Sequence, residues 1–214
     1  MSEWDIASAA VSEHAEQLRH MTTHSEIYGW AKDNDLTTRT LFPKIKAQLH
    51  KQLGIDYDQL RQTTNGHRAE QMAAEAVDAP EIVLWAAADD DAGTFALTDV
   101  EGTALWYSTF HGQDKLYNPG DQASASTSAA EKAVYLAGQA RREADLEVVR
   151  LTVRVSDHRV DGEAITKAGL QARAVVTIDV TDEDNPALEW CRAPGFRNWR
   201  EIDLSALLST ELHP

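Results

Sequence analysis

The hydrophobic period of the chain changes once, near the tripeptide Asp78-Ala79-Pro80. Before this point, apolar residues recur at helical spacing, most clearly at Leu41, Ile45 and Leu49. After it, segments rich in β-branched and aromatic residues alternate with an alanine-rich helical stretch. Because one amphipathic pattern cannot serve both helix and strand, the change predicts a helical N-terminal module at residues 1–78 and an α/β domain at residues 81–214.

Capping residues and breakers divide the N-terminal module into helices. Ser2 with Asp5 predicts the start of a helix that runs to about His20, and Thr38 predicts the start of another that ends at Gly54. Asn65-Gly66 predicts a break. Two shorter helices are expected beside these, at Glu26–Lys32 and His67–Val77.

The second half predicts a β-β-β-α-β-α-β-α order. Strands are expected at Glu81–Ala88, Thr94–Val100, Thr103–Phe110, Leu146–Val155 and Ala172–Val180, with a further short strand considered at Leu188–Arg192. Helices are expected at Thr127–Ala144, Asp161–Gly169 and Trp199–Leu208. Strands joined by hairpins are antiparallel, whereas a strand reached through a crossover helix is parallel to its partner. The prediction is therefore a mixed sheet with helices on its faces.

Charge and composition narrow the function classes. The chain has 35 acidic and 20 basic residues, a formal net charge of −15 at pH 7, which repels nucleic acid unless a basic patch or a metal reverses the field. Cys191 is the single cysteine, which excludes an internal disulfide framework. No apolar run reaches the roughly 18 residues of a membrane span, and the acidic start lacks a secretory signal. A cytoplasmic protein without a membrane partner is expected.

Four short stretches of the second half resemble the ribonuclease H-like superfamily over about residues 81–208. They read VLWAAADDDAG, GTFALTDVEGTALWYSTF, TSAAEKAVYLAGQA and LTVRVSDHRV, and EWCRAPGFRNWREIDLSALL is a weaker match to the end of the domain. The resemblance implies a ribonuclease H-like mixed sheet preceded by the small helical module. It also implies a divalent-metal-dependent nuclease that hydrolyses RNA in an RNA/DNA hybrid or a related polynucleotide.

Carried over by position, the resemblance implies four catalytic, metal-binding carboxylates. They are Asp89, Glu131, Asp157 and Asp203, with Asp90 as a rival to Asp89 because a slip of one residue reverses the side chain. Such a set of oxygen ligands could hold two Mg²⁺ or Mn²⁺ ions about 3.5–4 Å apart. One ion would orient and acidify the water, and the other would stabilise the leaving oxygen.

Two alternatives remain open. The stretch ALTDVEGTAL is similar to the first motif of DEDD-type exonucleases, which would make Asp99 and Glu101 metal ligands, although the same residues also suit a hairpin turn. The second alternative is a non-catalytic ribonuclease H-fold binding protein with a protein partner, for example an acidic inhibitor or a nucleic-acid mimic. The chain departs from the family in its run of three aspartates and in having no histidine before the last aspartate.

A local basic segment is the candidate nucleic-acid contact. Residues 32–68 contain seven Lys and Arg residues against four Asp residues, which contrasts with the acidity of the rest. Within this segment Lys44, Lys51 and Arg61 could contact phosphates. The competing interpretation is a solvated helical face, because the four aspartates interrupt the patch.

Overall fold

The structure, a computed structural model, describes residues 2–208 and divides into two compact units between Glu70 and Gln71. The first unit consists of helices α1 to α4 and most of α5. Their bounds are Glu3–Glu13, Ala15–His20, His24–Asp33, Phe42–Leu53 and Tyr57–Glu75. Within residues 2–208 no helix is both long enough and apolar enough to cross a membrane.

Two of the helix ends predicted for the first unit, at Ser2 and Gly54, are present, whereas the predicted cap Thr38 is wrong because α4 begins at Phe42 with Leu41 as its N-cap. The Ser2 side chain accepts a hydrogen bond from the Asp5 backbone N–H at 3.2 Å, and the Asp5 carboxylate accepts from the Ser2 N–H in return. Gly54 ends α4 with φ +70°, a left-handed conformation that glycine adopts without steric cost. The helices bury one apolar cluster, whose fully enclosed members include Val11, Leu18, Ile27, Ile45 and Leu49.

The second unit is built on one mixed sheet, which confirms the predicted α/β class. Strands β1 to β5 are Glu81–Asp89, Thr94–Thr98, Ala104–Thr109, Val149–Val155 and Ala174–Val180, and they lie in the order β3-β2-β1-β4-β5. The hairpin pairs β1–β2 and β2–β3 are antiparallel, while β4 is parallel to both β1 and β5. Helices α6 (Gln122–Glu143), α7 (Gly162–Ala172) and α8 (Ala187–Cys191) complete the unit, followed by two short 3₁₀ helices.

Alternation along β1 places a core on each face of the sheet. Ile82, Leu84 and Ala86 pack in the cluster that contains the buried side of α6, whereas Trp85 and Ala87 pack with residues of α8. The sheet is therefore a middle layer between the long helix α6 and the short helix α8.

Several details of the predicted elements are wrong. The first predicted helix is interrupted at His14, and α6 begins at Gln122 rather than at Thr127. Asn65-Gly66 does not break the helix, because α5 runs through it. A glycine inside a helix costs only about 1 kcal/mol relative to alanine, and no proline is present there to remove a backbone hydrogen bond. The segment Leu188–Arg192 lies in and just after α8, where Ala187 and Cys191, four residues apart, are buried on one side. The final helix is two 3₁₀ segments, Trp199–Glu201 and Leu204–Leu208.

Candidate functional site

The carboxyl ends of β1 and β4 bring two of the four predicted carboxylates to one edge of the sheet. The strands are parallel neighbours, with Trp85 paired to Arg154. Asp89 is the last residue of β1, and Asp157 follows β4 by two residues. The carboxyl edge of a parallel pair is where α/β folds present ligand-binding side chains, so this edge is the candidate site.

Asp157 is bound by an arginine of the same turn. Arg159 donates from Nε to Oδ1 and from Nη2 to Oδ2, both at 2.9 Å, and its backbone N–H donates to Oδ1 at 2.9 Å. The side-chain hydrogen bonds from Arg159 are the main reason why the pKa of Asp157 lies below its ordinary value. The carboxylate is 13% exposed, so this bidentate pair occupies a largely enclosed position.

Asp89 is also neutralised from within the chain. Its Oδ1 accepts from the Ala92 backbone N–H at 3.1 Å, and Arg192 Nε lies 3.2 Å from its Oδ2. The hydrogen bond from Ala92 is the largest of the effects that lower the pKa of Asp89, and Arg192 adds to it. Its neighbour Asp90 accepts from the Tyr117 hydroxyl and from the Gly120 N–H, both at 3.1 Å.

The start of α6 lies between the two aspartates and supplies neutral side chains there. The Gln122 amide accepts from the Asp90 N–H at 3.0 Å and donates to the Ala88 carbonyl and to Ser126 Oγ. Ser126 in turn donates to Asp157 Oδ2 at 3.4 Å. The helix therefore connects the two strand ends through an amide and a hydroxyl rather than through an acid.

The structure does not bring Glu131 to this edge. Glu131 is nine residues beyond Gln122, about 13 Å along the helix axis, and it lines a cavity of about 460 Å³ with Trp106, Tyr135 and Trp199. Burial raises the pKa of Glu131 above its ordinary value, Asp114 adds to the rise, and the nearby charges of Lys132 and Lys115 oppose it.

Asp203 lines a different cavity, of about 500 Å³, together with Asp99, Glu101 and Glu201. Its Oδ1 accepts from the Ser205 N–H and Oγ, and the latter bond is the main reason why the pKa of Asp203 is lowered. Asp99 accepts from the backbone N–H groups of Glu101 and Thr103, which is the hydrogen bonding of a tight turn.

The four predicted carboxylates therefore do not form one group. Among residues 2–208, no three His, Cys, Asp or Glu side chains are arranged to hold a metal ion. At the strand ends the donor set is two aspartates, each paired with a guanidinium, and this set does not fit a pair of Mg²⁺ or Mn²⁺ ions. Two divalent ions need several carboxylates that are free of cationic partners.

The three predicted phosphate contacts lie in the first unit and differ in availability. Lys44 forms a salt bridge with Glu3 and also donates to the Thr40 carbonyl at 3.0 Å. Lys51 and Arg61 are exposed. The charge of Lys44 is thus already compensated within the unit, so the nucleic-acid contact stays a prediction that depends mainly on the other two side chains.

Sequence reasoning missed the arginines that bind the aspartates. Arg159 follows Asp157 by two residues, a spacing at which a turn after a strand returns a long side chain to a carboxylate, so this pair had a local signal. Arg192 lies 103 positions from Asp89, and no local pattern could have indicated it.

Comparison of the chain with protein-family models, with curated proteins and with solved structures gave no match.

Proposed function

We propose that this chain is a non-catalytic binding protein built on a ribonuclease H-like α/β unit. Support for the resemblance comes from the element order after Pro80, from antiparallel hairpin strands at β1 to β3, and from parallel strands reached through α6 and α7. A fold alone does not assign a function, so the argument depends on the chemistry of the strand ends.

One observation carries the proposal: the strand-end carboxylates are bound to arginines. A divalent ion at this edge would have to displace Arg159 from Asp157 and Arg192 from Asp89. The α6 positions that approach both strand ends are Gln122 and Ser126, which cannot supply the negative charge that two metal ions need. In this arrangement both aspartates already have hydrogen-bond partners without a metal.

The competing candidate is the divalent-metal-dependent nuclease. It is favoured by the position of Asp89 and Asp157 at the carboxyl ends of adjacent parallel strands. It would require Arg159 and Arg192, whose side chains are 55% and 77% exposed, to turn away from the aspartates and leave them to Mg²⁺ or Mn²⁺. Its substrate would be an RNA/DNA hybrid or a related polynucleotide.

A metal titration with a paired variant separates the two. With millimolar Mn²⁺, the unmodified chain is expected to show no rise in melting temperature and no cleavage of hybrid, duplex or single-stranded polynucleotide. The double variant Arg159→Ala/Arg192→Ala frees both aspartates, so Mn²⁺ is expected to stabilise it, by about 2.7 kcal/mol at 100 times Kd.

The control is Glu143→Gln, which removes one exposed carboxylate at the C-terminal end of α6, whereas Gln122 and Ser126 at its N-terminal end approach the strand ends. Metal-dependent cleavage by the unmodified chain that survives Glu143→Gln and is lost in Asp157→Asn would overturn the proposed function in favour of the nuclease.

A further inference from the structure

The outward side of α6 carries a cavity that the strand-end site does not use. Glu131, Tyr135, Gly138 and Arg142 line it and recur at helical spacing, so they lie on one side of the helix, away from the sheet. Its volume of about 460 Å³ is within the range of ligand-binding clefts. Ala168 and Ala172 of α7 line it from one side.

Three aromatic rings form the other wall. Tyr135 of α6 lies between Trp106 of β3 and Trp199, with ring centroids 6.1 and 5.6 Å away. Tyr135 is 42% exposed, so its ring is open to a ligand, whereas the guanidinium of Arg200 lies 4.8 Å from the ring centroid of Trp199 and covers one face of that ring.

Glu131 is the one acidic group among the described residues that line the cavity. Among residues 2–208, no hydrogen bond or salt bridge reaches its carboxylate, although the side chain is half-buried. The adjacent Lys132 also lines the cavity, but its charge is paired: its Nζ lies 2.6 Å from Asp114 and over the rings of Phe95 and Trp106. Arg142 lies eleven residues farther along α6, about 16 Å along its axis, at the far end of the cavity.

An unpaired carboxylate beside aromatic faces suits a guanidinium group. This group is planar, stacks on aromatic rings, pairs with carboxylates through two N–H donors, and is easier to desolvate than an ammonium group. The protein contains this combination elsewhere: Arg154 lies 5.3 Å from the ring centroid of Trp85, and its Nε is 3.3 Å from Asp179.

We propose that the cavity between α6, α7 and Trp199 binds an arginine side chain of a basic partner protein, with Glu131 as the anion and Trp106, Tyr135 and Trp199 as the stacking surface. The net charge of −15 attracts such a partner at long range. This inference names the partner class of the proposed binding function and therefore rests on that function.

Two short peptides test the site directly. Acetyl-Gly-Arg-Gly-amide is compared with the same peptide carrying citrulline, which keeps the shape of arginine but has no charge. Binding is followed by NMR on the indole N–H signals, and those of Trp106 and Trp199, assigned with Trp→Phe variants, are expected to shift. The arginine peptide is expected to bind with millimolar affinity, and the citrulline peptide at least about tenfold more weakly.

A matched pair of variants tests whether the negative charge of Glu131 is responsible for arginine binding. Glu131→Gln keeps the size of the side chain and is expected to weaken arginine binding about tenfold. Glu143→Gln removes the same charge from an exposed position of the same helix that does not line the cavity, and is expected to change binding less than twofold. The arginine–citrulline comparison on the unmodified chain does not depend on how either variant folds.

Equal binding of the arginine and citrulline peptides, or equal weakening by the two variants, would overturn the inference. Equal binding of a lysine peptide, or of free methylguanidine, would also overturn it, since the first removes the need for a guanidinium and the second the need for a protein segment. Metal-dependent cleavage by a chain that still discriminates arginine from citrulline would overturn the proposed function but leave this site standing.

Discussion

Asp157 is largely buried and Glu131 is half-buried, and both belong to the second unit. Their surroundings shift their pKa values in opposite directions. Asp157 has a bidentate arginine, which favours its charged form. For Glu131 burial is the largest effect and disfavours the charged form, Lys132 and Lys115 oppose it in part, and Asp114 adds to it, so that the pKa is raised. The first carboxylate therefore stabilises the folded chain at neutral pH, whereas the second destabilises it until a ligand compensates its charge.

Asp157→Asn is expected to lower the free energy of unfolding by about 1 kcal/mol at neutral pH, since Arg159 is largely exposed and the pair is partly screened. The folded pKa of Asp157 is lowered, so its stabilisation is complete above the unfolded pKa of about 4 and is lost as pH falls through the folded value. Urea unfolding at several pH values measures this. The difference from the unmodified chain should shrink towards pH 2; a difference that is the same at all pH values would contradict the assignment.

At the scale of elements, two glycines inside helices differ in whether tertiary packing requires them. Gly66 lies inside α5 with no atom within 4 Å of the position of an added Cβ. Gly169 lies inside α7, where an added Cβ would come within 2.7 Å of the Ala174 carbonyl oxygen and of Val176 Cγ2. The second glycine is thus required by the close approach of α7 to β5, whereas the first is not required by any contact.

Gly66→Ala is expected to raise the free energy of unfolding by about 0.5–1 kcal/mol, because alanine has the higher helix propensity. Gly169→Ala gains the same propensity but must push α7 away from β5, so a net loss of about 1–3 kcal/mol is expected. Denaturant unfolding of both variants checks the pair. Stabilisation by both substitutions would mean that α7 does not pack against β5 as closely as described.

At the scale of the whole molecule, each unit has an apolar core of its own. Ile45 is fully buried among helices of the first unit, and Leu151 is 1% exposed in the sheet of the second. Deleting a buried side chain of this size costs about 2–5 kcal/mol in the core that contains it.

Ile45→Ala and Leu151→Ala are therefore expected to destabilise different transitions. Urea unfolding followed by circular dichroism should show two steps. Ile45→Ala should destabilise only the step of the first unit and Leu151→Ala only that of the second, each by about 2–5 kcal/mol. A single transition that both substitutions shift equally would show that the two units unfold as one.

The sequence by itself determined most of the elements and the class of the fold. Ser2 and Gly54 act through neighbouring backbone groups, so local patterns were sufficient to predict these two helix ends. The predicted α/β order and the mixed sheet follow from hairpin and crossover rules that depend only on the order of segments. Asn65-Gly66 misled because its turn preference is weak compared with the continuation of a helix on both sides.

Only the tertiary structure decided which carboxylates meet and what neutralises them. Asp89 and Asp157 share an edge because β1 and β4 pair in parallel, while Glu131 lies more than two turns along α6 from that edge and enters an aromatic cavity instead. Arg192 reaches Asp89 across 103 positions of the chain. A local pattern specifies backbone conformation over a few residues, but the chemistry of a site depends on distances between side chains that are set by packing over the whole unit.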